Sequence, residues 1–294
     1  MERLCGLFCE PFKKKLLALP REAFAELREL RIRVGQQPLL LGAGERVLSG
    51  FRPTRAEMEQ LFLHFCGNSP YAYEEQIAAG YLTLPGGHRV GLCGHAVLRQ
   101  GSLQRLDGIQ GMNLRVARDV EPEKRLLKAV TRAGSALNTL VISSPGLGKT
   151  TLLRGLARLL SESGLQVGVV DERGELAAME RGVPQMDLGA RADVMDFCPK
   201  SQAIPLLVRA MAPQVIVTDE LGGADDLSAL NEASRCGVAV IASAHGRDLG
   251  DIRARPTLGE IERRFPFERY IVLAGAPGRV QGVYDREGRA CSYA

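Results

Sequence analysis

The segment Ser144-Pro-Gly-Leu-Gly-Lys-Thr-Thr151 places two glycines, a lysine and two hydroxyl residues at a spacing suited to a polyphosphate. It follows an apolar run at residues 140–143 and precedes a helical pattern over residues 150–161. Strand, turn and helix in that order aim consecutive backbone N–H groups at one point, and the helix dipole adds attraction for an anion. Gly146 and Gly148 let the backbone approach without a side chain in the way. Lys149 suits the β and γ phosphates, the Thr150 hydroxyl suits Mg²⁺, and Thr151 is placed for the α phosphate. Ser144, Pro145 and Leu147 complete the cradle. The pattern GxxxxGK[ST] has glycine where Ser143 stands, so the match covers the core of this Walker A motif.

A second constellation is Val215-Ile-Val-Thr-Asp-Glu220, an apolar strand ending in two carboxylates. That arrangement delivers a metal-holding acid, Asp219, and a water-activating general base, Glu220, beside phosphates. A whole strand at residues 166–171 intervenes between loop and acidic pair, as in the branch of P-loop ATPases that uses a catalytic glutamate. It ends in Asp171-Glu172-Arg173, where an open α/β sheet holds its ligands. Glu172 can therefore orient the attacking water; the alternative is a surface ion-pair cluster. His245 follows a strand at residues 238–243 and is a candidate sensor of the γ phosphate, against the alternative of an ordinary polar residue. The remaining histidines are not spaced as metal ligands.

The elements that must position these residues divide the chain. Residues 126–294 alternate short Val/Ile/Leu-rich strands (140–143, 166–171, 215–219, 238–243) with helical patterns (150–161, 201–211, 224–235). This predicts a doubly wound, mostly parallel α/β sheet of the RecA-type or AAA-like ATPase class. Residues 1–125 predict a smaller α+β domain. It has helices at 20–30 and 55–66, strands at 31–34 and 113–117, and a hairpin of strands 81–84 and 88–97 around Pro85-Gly86-Gly87. Residues 119–123 form the expected linker.

The composition excludes more than it specifies. A formal charge of +4 from 38 basic and 34 acidic residues is too small to indicate a nucleic-acid or acidic-membrane partner. Seven scattered cysteines without a CxxC pair suggest reduced, mostly buried thiols. No stretch approaches the roughly 18 apolar residues of a membrane span, and the N-terminus lacks a signal peptide's apolar core, so a cytoplasmic location is expected.

Together with the nucleotide motifs, Ser69-Pro-Tyr-Ala-Tyr73, Gly80-Tyr-Leu-Thr-Leu-Pro-Gly-Gly-His-Arg-Val-Gly91 and Asn113-Leu-Arg-Val-Ala-Arg118 make nearly the whole chain resemble the stage III sporulation protein AA family. That family is related to the ATPases of type II and type IV secretion and pilus machines. The resemblance implies an ATPase of the mother-cell cytoplasm, peripheral to a membrane channel complex between mother cell and forespore. It also implies that Glu172 and His245 match an Asp-box carboxylate and a His-box histidine facing nucleotide. A hexamer is implied too, in which Arg89, Arg115 or Arg118 reaches nucleotide across a subunit boundary. The chain departs from secretion ATPases in lacking a tetracysteine metal module and in its short N-terminal region. A motor ATPase using ATP and Mg²⁺ is the leading expectation. A nucleic-acid-dependent ATPase is second, because aromatics are only 5% with no tryptophan to stack on bases.

Overall fold

The structure, a computed structural model, describes residues 2–99, 102–117, 122–180, 182–223 and 225–292. The chain forms two compact units, residues 1–117 and 118–294, so the expected boundary at 125/126 falls inside the second unit.

The first unit is a six-stranded sheet ordered β3-β2-β1-β6-β5-β4. Its strands are β1 (Glu29–Arg33), β2 (Leu39–Leu41), β3 (Glu45–Val47), β4 (Tyr81–Leu84), β5 (His88–Arg99) and β6 (Ser102–Arg115), with every pairing antiparallel. Leu30, Ile32, Leu82, Val90, Met112 and Leu114 alternate onto the buried face. They share a core with Met58, Leu61 and Phe65 of helix α1 (Arg55–Phe65). That helix starts where the sequence dictates, since Thr54 accepts from the Glu57 amide while Glu57 reaches back to Thr54 in a capping box.

Three expectations need correction here. The helix expected over residues 20–30 is only Glu22–Ala25, because Leu30 and Ile32 alternate inward as part of β1. The strand expected at 113–117 is the end of the much longer β6, which pairs along the whole of β5. Nor are the thiols mostly buried: all seven cysteines are free, but only Cys5 and Cys66 are buried, while Cys93 and Cys236 are exposed.

The second unit carries a seven-stranded sheet. It comprises β7 (Thr139–Ser143), β8 (Val167–Asp171), β9 (Ala192–Asp196), β10 (Val215–Glu220), β11 (Ala239–His245), β12 (Arg269–Leu273) and β13 (Val280–Tyr284). Their order is β9-β8-β10-β11-β7-β12-β13, parallel at every pairing except the last. β7 and β8 are buried at every residue, as strands covered on both faces must be. Helix α2 (Lys149–Glu162) packs Leu153, Leu156 and Leu160 on one face; α3 (Lys200–Met211) and α4 (Asp226–Arg235) pack Ile204, Leu207 and Leu230 on the other. β9, β12 and β13 extend the sheet beyond the strands expected from the sequence. Among the described residues, no helix is long and apolar enough to cross a membrane.

Candidate nucleotide site

The carboxyl ends of β7, β8, β10 and β11 bring the chemistry together. The loop after β7 turns through Gly146 and Gly148, both with positive φ, and Lys149 opens α2. Gly148 has φ of 89°, and a Cβ there would stand 3.1 Å from the amide nitrogen of Gly278, which itself donates to the Leu147 carbonyl at 2.9 Å. This tie to the β12–β13 turn engages an outward carbonyl and holds the loop in shape. Gly148→Ala is expected to lose about 1–2 kcal/mol of stability through left-handed strain and this contact. Urea denaturation checks it, and an unchanged midpoint would show that the turn relaxes freely.

Lys149 is 8% exposed, and burial pushes its pKa down, with Glu220 acting in the opposite direction. Its Nζ donates to the Ser143 carbonyl at 3.1 Å and lies 2.7 Å from His245 Nδ1. An ammonium offers only donors, so Nδ1 accepts and the imidazole proton sits on Nε2. Nε2 in turn lies 3.0 Å from Glu220 Oε2, and Arg173 Nη1 approaches the same oxygen at 3.5 Å. Lys149, His245 and Glu220 thus stand in one line of polar contacts at the carboxyl edge of the sheet.

Asp219 belongs to a second cluster. In a regular strand, consecutive side chains face opposite ways, but the β10–β11 register slips between Val217 and Glu220. Asp219 meets Lys200, Nζ to Oδ1 at 3.2 Å, and Lys200 also bonds Glu172, while Glu220 meets His245. Burial pushes the Asp219 carboxyl up to about 6, against the pull of Lys200, and the nearby Asp171 and Glu172 carboxylates add to the rise. Asp171 itself is fully buried and accepts from the amides of Glu175, Leu176 and Ala177, which shapes the following turn.

Mg²⁺ fits this donor set. Asp219 Oδ2 is buried without a partner, and the Thr150 hydroxyl lies in the first turn of α2. No group of three or more His, Cys, Asp or Glu among the described residues could hold a metal. Mg²⁺ is normally held by one or two carboxylates together with phosphate oxygens and water.

Arg89 and Arg115 lie in the first unit as register partners on β5 and β6. The Arg89 guanidinium sits 3.9 Å over the Tyr81 ring, and Arg115 is 3.8 Å from Glu29. Arg118 lies outside the described residues. Sequence reasoning missed Lys200 as a site residue. Its signal was a lysine at a helix start following a strand, but that strand, β9, is half-exposed along its length and did not read as one.

The fold defines the class: α/β with a mostly parallel sheet, similar to the P-loop fold of secretion and pilus ATPases. The likeness is measured against the Yersinia pseudotuberculosis ATPase DotB, with TM-score 0.59 at 14% identity over 96% of this chain and 78% of that one. The pilus retraction motor PilT gives TM-score 0.57 at 14% identity over 86% and 76% of the two chains. The particular family follows from sequence: residues 6–291 match the model of the family "Sporulation stage III, protein AA", and the chain belongs to it. It is 37% identical to stage III sporulation protein AA of Bacillus subtilis, over 99% of this chain and 97% of that protein.

Proposed function

We infer that the chain binds MgATP at the β7–α2 loop, hydrolyses it, and so powers or regulates a secretion-like channel complex between mother cell and forespore. The observation that carries this reading is the line from Lys149 through His245 to Glu220. A lysine suited to phosphate, an imidazole and a carboxylate stand together, and a γ phosphate would enter among them.

The loop amides after Ser143 and the α2 dipole hold the phosphates, and Lys149 turns from His245 to the β and γ oxygens. Glu220 accepts a proton from water as its oxygen bonds the γ phosphorus and the bond to the β–γ bridging oxygen breaks, leaving ADP and phosphate. His245, released by Lys149, reports whether the γ phosphate is present. Glu172 is the candidate to orient the water, and Lys200 holds its carboxylate in place. Thr150 and Asp219 would hold Mg²⁺, which when bound neutralises charge on the phosphate oxygens.

Assembly as a hexamer on the cytoplasmic face of the membrane complex belongs to the same reading. Arg89, Arg115 or Arg118 would then complete a neighbour's site, and an arginine so placed is worth about 10³–10⁵ in rate. The test is phosphate release by the full chain at saturating MgATP over a range of protein concentrations, with and without single-stranded DNA. Release per chain should rise with concentration and ignore DNA. No release at any concentration would overturn the reading, and strong stimulation by DNA would replace it with a nucleic-acid-dependent ATPase.

A further inference from the structure

Lys200 is 6% exposed, yet it carries its charge to the carboxyl edge of the sheet. Three segments meet on it: Glu172 after β8, Asp219 at the end of β10, and Lys200 itself at the start of α3. Its ammonium stands between two carboxylates, bonding Glu172 and lying 3.2 Å from Asp219 Oδ1. Asp219 is 9% exposed and uses only one oxygen, while Oδ2 is buried with no partner. Like carboxylates held together without a cation do not both stay ionised, and an unpaired buried charge is strongly destabilising. The pocket therefore needs a positive charge in every state, and nothing else among the described residues supplies it: Lys149 faces His245, and Arg173 faces Glu220.

We propose that Lys200 is a stand-in cation, neutralising Asp219 and Glu172 while the site is free of metal and giving up Asp219 when Mg²⁺ enters with nucleotide. This rests on reading Asp219 as a metal ligand. An ammonium 3.2 Å from Oδ1 and a divalent ion on the same carboxylate repel one another, so the two compete. Mg²⁺ alone is then excluded, and only Mg²⁺ carried by phosphates displaces the lysine, which stays with Glu172. Lys200 is thus a positioning residue: it sets the order in which metal and nucleotide arrive and touches neither.

The experiment is a thermal-melt titration of the full chain with MgCl₂ in the absence of nucleotide. Wild type should barely respond. Lys200→Met, which keeps the length of the side chain and removes its charge, should gain a saturable stabilisation with a midpoint at least about tenfold below that of wild type. Adding Asp219→Asn to Lys200→Met should abolish that gain. The same Mg²⁺ response in wild type and Lys200→Met, or a gain that survives Asp219→Asn, overturns the proposal. If Lys200→Met fails to fold, recovery of folding by Mg²⁺ or by Asp219→Asn supports the neutralising role, and recovery by neither overturns it. Binding of a fluorescent ATP analogue to the wild-type chain is measured alongside. Its absence would sink the nucleotide reading, while the metal titration still judges Lys200 by itself.

Discussion

Glu220→Gln is expected to leave ATP binding intact and to lower turnover by about 10²–10⁴-fold, the usual contribution of a positioned general base. Glutamine preserves the size of the side chain and keeps an oxygen that can accept from His245 Nε2, now 3.0 Å from Glu220 Oε2. What it loses is the capacity to take a proton from water. Affinity for ATP should therefore change little while kcat falls, the pattern of an interaction needed only in the transition state. Equilibrium binding of a fluorescent analogue and single-turnover hydrolysis separate the two quantities. Undiminished turnover would remove Glu220 from the role of base and leave Glu172 as the next carboxylate to test.

Lys149→Ala is expected to do the opposite, removing binding first. Hydrogen bonds to a charged group are worth about 1.5–3 kcal/mol, so losing this ammonium should weaken ATP affinity by roughly 10–100-fold. Hydrolysis should fall below detection. Lys149 is buried against the Ser143 carbonyl and His245, so the variant also strands His245 Nδ1 without its donor. Circular dichroism and melting temperature show whether the sheet persists. With the fold intact, wild-type ATP affinity would show that phosphate binding does not depend on this lysine. The contrast between the variants is informative because both residues contact His245. Removing the lysine is expected to weaken entry of the phosphate, and neutralising the carboxylate to leave it bound without turnover.

How much of this was legible before folding depends on the range of the interactions concerned. The strands at residues 140–143, 166–171 and 215–219 were readable because a strand covered on both faces must be apolar throughout, and β7 and β8 are buried at every residue. The helix expected over 150–161 proved to be Lys149–Glu162 because its apolar residues recur at helical spacing. The helix expected at 20–30 failed because Leu30 and Ile32 answer to strands far along the chain, Leu114 and Met112 of β6. The chain's seven-stranded sheet was underestimated at its rims, since β9 is half-exposed and carries Asp193 and Asp196 among its apolar residues.

Sequence alone determined the glycine-rich turn before α2, the acidic strand end and the family, because each is written in contiguous residues whose chemistry is local: glycines that permit positive φ, a lysine opening a helix, an apolar run closed by Asp219 and Glu220. Tertiary structure decided how those carboxylates are divided. The partners of the two carboxylates come from distant segments, Lys200 at the start of α3 for Asp219 and His245 at the end of β11 for Glu220. Lys200 acquires its place from a neighbouring strand, not from residues beside it. A bulge and a buried ion pair are properties of pairing between distant segments, where register and burial, rather than composition, fix which charges meet.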